Sequence, residues 1–99
     1  MIIVAGHLVV AAEDRDAYLV GVGEVNRQAR DAQGCLAFVQ VPDPLEADRI
    51  VIYERWESDE ALLAFRNSGP RDATTWERPI PQILGAEVSK YRIAAVEAP

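Results

Sequence analysis

The sequence predicts an α+β domain with the order βαββαβ, in which two helices cover one face of a four-stranded antiparallel sheet. Three observations support this fold class. Apolar, β-prone runs occupy residues 2–10, 35–41, 49–56 and 86–96. Helical patterns separate the first run from the second and the third from the fourth. Two right-handed crossovers then place both helices on the same face of the sheet.

The first strand and first helix follow from periodicity. Residues 2–10 carry apolar side chains at both alternating positions, which is typical of a strand buried on two faces, and His7 is the only strongly polar residue among them. After a turn at residues 11–14, apolar residues recur at helical spacing, at Tyr18, Val22, Val25, Ala29 and Ala32. Gly34 is placed to end this helix, because glycine adopts the left-handed conformation without steric cost.

The central stretch, residues 34–63, is marked by strong stop and start signals. Pro42 and Pro44 end the second strand, because proline fixes φ and restricts the preceding residue. A third strand follows and ends near Trp56. Ser58 is the predicted N-cap of the second helix, since its hydroxyl can accept a hydrogen bond from an amide of the first turn.

Size and composition narrow the class of protein. With 99 residues the chain is expected to form one domain, residues 1–99. The net charge of −6 argues against nucleic acid as a partner, because phosphate binding needs a basic surface. The apolar start, MIIVAG, is too short to span a bilayer, so no membrane association is expected. Cys35 is the only cysteine, which excludes an intrachain disulfide and is compatible with a cytoplasmic location.

The central strands predict a homodimer. Residues 2–4 and 50–53 offer apolar side chains to both faces of the sheet, whereas the helices cover only one face. A bare apolar face of this size is unusual in a monomer, so we expect a second copy to cover it through a two-fold interface. Of the adjacent Glu54 and Arg55, one should face that partner, because successive strand residues point to opposite sides.

Motifs in the central stretch carry a family resemblance. The succession of GCL, an aromatic residue in the strand, DP in the turn, RIVIYERWES and EAL resembles the antibiotic biosynthesis monooxygenase (ABM) family. The resemblance implies a ferredoxin-like fold that pairs as a dimeric α/β barrel. It also implies a monooxygenase that oxidises small aromatic substrates, such as anthrones and quinols, with dioxygen and without a metal or flavin cofactor.

Chemistry of that kind requires a base inside an apolar pocket. His7 is the candidate catalytic base, since its unperturbed pKa lies near 6.5 and its strand position aims it into either the helix-covered interior or the dimer interface. The alternative for His7 is a buried histidine that is hydrogen-bonded to a neighbour and has no catalytic task. No partner that would orient the imidazole is visible in the sequence.

The candidate substrate-binding residues are Tyr53, Phe65, Trp76 and Arg78, the last as a partner for a phenolate or carboxylate. Phe65 lies where the heme-degrading relatives have tryptophan, and their downstream histidine has no counterpart in FRNSGPRD, which disfavours heme ligation. Motifs for nucleotide cofactors and serine hydrolases are absent, and one histidine without clustered cysteines disfavours a metal site. A non-enzymatic module that binds or senses a small molecule remains the alternative function.

Overall fold

The computed structural model describes residues 1–68 and 81–99. Its elements in chain order are β1 (Ile2–Val10), α1 (Arg15–Gly21), α2 (Gly23–Asp31), β2 (Cys35–Pro42), β3 (Arg49–Trp56), α3 (Asp59–Ser68) and β4 (Ile83–Arg92), with a turn of 3₁₀ helix at Ala12–Asp14 before α1. This is the predicted α+β, ferredoxin-like arrangement. None of the helices in the described ranges is long and apolar enough to cross a membrane.

The sheet has the strand order β2-β3-β1-β4, and all neighbouring strands are antiparallel. Strands β1 and β3 therefore lie in the centre, which explains why their apolar residues occur at both alternating positions. Strands β2 and β4 form the two edges.

The helix-covered face of the sheet, called the helix face below, holds the core in two separate clusters. The Trp56 cluster contains Ile2, Val4, Ala29, Phe38, Trp56 and Leu62. The Tyr18 cluster contains Leu8, Val10, Tyr18, Val22, Ile50 and Ile52. The buried residues of β1 and β3 in both clusters have even numbers, so the odd-numbered residues of these strands point to the opposite face, called the open face below.

The start of α3 confirms the predicted cap. The Ser58 hydroxyl oxygen accepts a hydrogen bond from the Ala61 backbone N–H at 3.1 Å. At the same end of this helix, Asp59 contacts Lys90 at 2.8 Å and Arg92 at 2.9 Å, and these ion pairs join α3 to β4. Lys90 and Arg92 consequently lie on the helix face.

The first predicted helix is divided at Val22, whose backbone leaves helical geometry at φ −87° and ψ 1°. The division is a bend rather than a break, because Val22 N–H donates to the Tyr18 carbonyl and Asn26 N–H donates to the Val22 carbonyl. Gly21 and Gly23 flank the bend, and glycine has little preference for the helical conformation. The predicted apolar stripe persists through it, with Tyr18 and Val22 buried.

Two predicted boundaries were wrong. The last strand was predicted at residues 86–96 but runs Ile83–Arg92. It ends there because its neighbour β1 begins at Ile2, which is opposite Arg92. The first predicted helix ends with α2 at Asp31, three residues before Gly34. Gly34 does adopt the left-handed conformation, at φ 84°, but it does so in the turn closed by the bond from Cys35 N–H to the Ala32 carbonyl. The sequence also predicts one more short helical turn at residues 71–78, beginning at Pro70, and these residues lie outside the described ranges.

We expect Gly6→Ala to destabilise the pairing of β1 with β4. Gly6 has φ 152°, and a Cβ atom at this position would lie 1.9 Å from the Glu87 carbonyl oxygen. Backbone strain of this kind costs about 1–3 kcal/mol before the clash is added. The measurement is the urea midpoint of unfolding.

Gly23→Ala is the matched control, because a Cβ atom there would meet nothing within 4 Å. It should be neutral or stabilising by up to about 1 kcal/mol. Equal stability of the two variants would contradict the close approach of the β4 backbone to Gly6.

Candidate functional site

His7 lies on the open face beside a carboxylate that sequence reasoning missed. Its Nε2 atom is 4.0 Å from Oε2 of Glu87, its direct cross-strand partner on β4. The His7 side chain is 25% exposed, whereas that of Glu87 is 86% exposed. Glu87 therefore lies at the outer limit of ion-pair distance from the imidazole. Nothing in the sequence signals the pair, because the two residues meet only through the register of β1 and β4.

The structure places Tyr53 on the same face as His7. Tyr53 is opposite Ala5, two positions from His7 along β1, so the two residues are diagonal neighbours with Cα atoms roughly 7–8 Å apart. Val51 lies directly opposite His7 on β3, and Tyr91 of β4 lies on this face opposite Ile3. The surroundings of the imidazole are thus largely apolar and partly aromatic.

The two adjacent charged residues of β3 divide between the faces of the sheet. Arg55 lies on the open face opposite Ile3, and its Nε is buried without a hydrogen-bond partner within residues 1–68 and 81–99. Glu54 lies on the helix face, opposite Val4 and Phe38 of the neighbouring strands. The residue of this pair that could meet a partner copy is therefore Arg55.

Glu54 is a partly buried carboxylate held by a neighbouring indole. Trp56 Nε1 donates a hydrogen bond to Glu54 Oε1 at 3.0 Å. Burial raises the pKa of Glu54 above its ordinary value. This effect of burial is larger than the lowering effects of the Trp56 hydrogen bond and of the Arg66 charge. Sequence reasoning gave Glu54 only a structural role, because strand periodicity could not show which face it occupies.

Phe65, the third predicted site residue, belongs to an aromatic group on the helix face. Its ring centroid lies 5.4 Å from that of Trp56 and 6.0 Å from that of Phe38. Trp56 is fully buried. Because Phe65 and His7 are on opposite faces of the sheet, they cannot line one cavity within a single subunit. Trp76 and Arg78 lie outside the described residues.

A cavity of about 340 Å³ runs beside the edge strand β2. It is lined by Arg30, Cys35, Leu36, Ala37, Phe38 and Val39, so none of the predicted site residues borders it. Arg30 Nε donates to the Phe38 carbonyl at 2.8 Å, which satisfies a backbone group of this strand. Burial raises the pKa of the Cys35 thiol, so the thiol is less readily ionised than usual.

Comparison of the sequence with protein families gives a match that covers most of the chain. The profile described as "Antibiotic biosynthesis monooxygenase" matches residues 1–75. The chain belongs to the ABM family. Its fold and its family thus agree with the resemblance carried by residues 34–63. A comparison with curated protein sequences finds no match.

Solved structures with this fold include ABM proteins and a heme degrader. A candidate antibiotic biosynthesis monooxygenase from Deinococcus radiodurans superposes with a TM-score of 0.78 at 16% identity, over 99% of this chain and 97% of its own. Another from Nitrosomonas europaea gives 0.76 at 14% identity, over 96% and 100%. MhuD from Mycobacterium tuberculosis, a heme degrader with two hemes bound in its active site, gives 0.70 at 21% identity, over 99% and 100%.

The family indicates a function of the general monooxygenase type. The structural neighbours, at 14–21% identity, show the fold alone. The residues of this ABM protein do not fit heme ligation. His7 is the only imidazole of the chain, and it lies beside Glu87 on the face opposite the aromatic group of Phe65. Within the described ranges, no cluster of three histidine, cysteine, aspartate or glutamate side chains could hold a metal ion.

The raised pKa of Glu54 predicts a pH-dependent effect of Glu54→Gln on stability. The folded state binds this proton more tightly than the unfolded chain, so Glu54 lowers the stability as pH rises from 4.5 through its raised pKa. Glutamine removes the charge but keeps an acceptor for Trp56. The stability of the variant relative to the unmodified protein should therefore rise with pH across this window and then level off.

Urea unfolding at several pH values between about 4 and 8 measures this difference, which follows from the linkage of proton binding to folding. Glu60→Gln, at an exposed position of α3, is the control for the loss of one negative charge. A pH-independent difference for Glu54→Gln would contradict the burial of its carboxylate.

Proposed function

We propose that this ABM protein is a cofactor-independent monooxygenase that oxidises a small anthrone or quinol-type substrate with dioxygen, with His7 as the base. The observation that carries the proposal is the position of the His7–Glu87 pair on the apolar open face, with Tyr53 as a diagonal neighbour. A base flanked by a carboxylate and aromatic walls suits the deprotonation of a phenolic ring system. Tyr53 would serve as a wall of the substrate cavity.

A second copy of the chain would complete this site as a dimeric α/β barrel. The molecule measures 39 × 33 × 18 Å, and the short dimension corresponds to one sheet and one helix layer. Apolar side chains on the open face, among them Val39, Val51 and Ile3, would gain cover from a partner sheet. The Arg55 Nε, which has no hydrogen-bond partner in the described part of the chain, would gain an opportunity for a hydrogen bond.

Cover by the partner also matters for the chemistry. Glu87 is exposed to water in the single chain, which screens its effect on His7. Between two sheets the local dielectric constant is lower, so the carboxylate would stabilise the protonated imidazole more strongly. The apolar surroundings would at the same time keep water away from a reactive substrate anion.

The proposed reaction needs only the substrate and dioxygen as oxidant. In an anthrone, His7 takes a proton from the ring CH₂ group and leaves an electron-rich carbanion. This anion passes one electron to dioxygen, and the radical and superoxide then combine to form a C–O bond. The protonated His7 returns its proton to the peroxide anion that results. Loss of water from the resulting hydroperoxide gives a ketone, so CH₂ and O₂ become C=O and H₂O.

The alternative is a non-enzymatic module that binds or senses a small apolar molecule at the same face. The small number of polar groups around His7 favours this alternative. Among the described residues, Glu87 is the only carboxylate within ion-pair distance of the imidazole. Saturable binding without oxygen uptake would support it. For either function the single cysteine, Cys35, fits a reducing compartment, and we place the protein in the cytoplasm.

We expect purified protein, freed of metal by chelation, to consume oxygen with a responsive anthrone or quinol faster than autoxidation does. His7→Gln should reduce this rate by about 10²–10⁴-fold, the usual contribution of a general base. Glu87→Gln should cause a smaller loss, because it alters only the stabilisation of the imidazolium. An oxygen electrode measures both rates.

The matched control for Glu87→Gln is Glu97→Gln, at an exposed position beyond the end of β4. Unchanged oxygen uptake by His7→Gln would reject His7 as the base. Absence of uptake across a panel of anthrones and quinols would reject the monooxygenase proposal for these substrates.

We expect light scattering at micromolar concentration to give twice the 10.9-kDa mass of the chain. Val51→Asp should shift the protein towards the monomer, because it places a charge on the proposed interface. Val20→Asp is the control, since Val20 of α1 is already 82% exposed. Circular dichroism verifies that both variants fold, and a monomeric unmodified protein would refute the dimer.

A further inference from the structure

The open face carries two opposite charges that lie symmetrically about Ala5. On β3, Arg55 lies two residues after Tyr53, which is opposite Ala5. On β4, Glu87 lies two residues before Ser89, which is also opposite Ala5. Because β3 and β4 are both antiparallel to β1, Arg55 and Glu87 are diagonal neighbours of Ala5 on opposite sides, with Cα atoms roughly 7–8 Å from it. Ala5 is therefore the midpoint between the two charges.

Arg55 and Glu87 are too far apart to pair within one subunit. Their Cα atoms are separated by about 15 Å, which is twice the diagonal spacing and beyond the reach of the two side chains. The Arg55 Nε is buried and has no hydrogen-bond partner in the described ranges. Among the same residues, Glu87 makes an ion-pair contact only with the His7 imidazole, at 4.0 Å. Each charge thus lacks a permanently charged partner in the described part of the chain.

A single two-fold axis would supply that partner to both residues. The axis lies between two sheets, passes over Ala5 and runs perpendicular to the line from Arg55 to Glu87. It brings Arg55 of each copy over the partner's Glu87, so it creates two identical ion pairs. Sheets that pack face to face lie about 10 Å apart, a gap that an arginine and a glutamate side chain span together. The small side chain of Ala5, on the axis, allows the sheets to approach.

Burial of the open face makes such a pair necessary. The Glu87 side chain is 86% exposed, so a covering sheet would remove it from water, and a neutral imidazole does not compensate its charge. Within the described strands, Glu87 is the only carboxylate on this face, and the arginines are Arg49 and Arg55. The charge of Arg49 acts on Asp43, whose pKa it helps to lower. Arg55 is therefore the cation available to Glu87.

We propose that Arg55 of each copy forms an ion pair with the partner's Glu87 across the dimer interface, so that each His7–Glu87 pair is completed by the other copy. The inference rests on the open-face dimer of the proposed function, and it adds the contact that fixes the position and direction of the two-fold axis. Both candidate sites of the dimer then contain a residue from each copy.

Mixing two charge-reversed variants tests the ion pair. Arg55→Glu brings two carboxylates together at both contacts of its homodimer, and Glu87→Arg brings two guanidinium groups together. Each variant should raise the dissociation constant of the dimer at least about tenfold, because like charges across an interface oppose binding. In the mixed dimer, both contacts again join opposite charges. An equimolar mixture should therefore form mixed dimers at least about tenfold more tightly than either variant forms homodimers.

Native mass spectrometry distinguishes the mixed dimer from both homodimers by mass, and sedimentation velocity measures the dissociation constants. Arg49→Glu is the matched control, because Arg49 lies on the same face of β3 but away from the proposed contact. Mixing it with Glu87→Arg should restore dimerisation no more than mixing the unmodified protein with Glu87→Arg does.

A double-mutant cycle keeps the test decisive if a charge-reversed variant does not fold. Arg55→Gln and Glu87→Gln should each weaken the dimer, and the double variant should lose less than the sum of the two losses, because both changes remove the same interaction. Circular dichroism verifies the folding of every variant.

A mixture that dimerises no better than its components, or additive losses in the cycle, would overturn the ion pair and leave the dimer itself standing. A monomeric unmodified protein would remove both. None of these measurements requires substrate or dioxygen, so a failure of the monooxygenase proposal in the oxygen electrode would leave the ion pair intact.

Discussion

The antiparallel pairing of β1 with both β3 and β4 is the constraint on which the rest of the structure depends. Since β1 lies between these strands, one register brings Ile2 opposite both Trp56 and Arg92. The same register places His7 opposite Glu87 and Glu54 opposite Val4. A shift by one residue would move every side chain to the other face, so both placements depend on the same ladder of hydrogen bonds.

Successive residues of the central strands point to opposite faces of the sheet, so the polar groups of the two faces lie in different environments. On the open face, an imidazole and an exposed carboxylate lie among valines and tyrosines, and the strength of their interaction depends on what covers them. On the helix face, the carboxylate of Glu54 is partly desolvated within the subunit and is oriented by the Trp56 indole. Covering the open face would therefore change the environment of His7 and Glu87 far more than that of Glu54.

Membership of the ABM family establishes the fold, whereas the chemistry must be argued from individual side chains. The structural neighbours share only 14–21% identity with this chain, although they superpose over nearly all of it. Conserved packing can preserve such a fold while the polar residues change. In this chain the polar candidates are His7 on one face, beside Glu87, and Glu54 on the other, hydrogen-bonded to Trp56.

Local signals in the sequence determined much of the fold. Strand β1 was predicted within its observed bounds, the Ser58 cap forms with the Ala61 amide, and the stop at the prolines agrees with the end of β2 at Pro42. These features depend on a few neighbouring residues, so they can be read without knowledge of the tertiary structure. The apolar residues on both faces of β1 likewise indicated its central position in the sheet.

Tertiary structure alone decided which side chains meet. Glu87 reaches His7, and β4 ends at Arg92, only because of the register between the first and last strands of the chain. The assignment of Glu54 to the helix face and of Arg55 to the open face also required the positions of the helices. Sequence periodicity shows that two strand residues face opposite ways, but packing of the helices on one face determines which of them is covered.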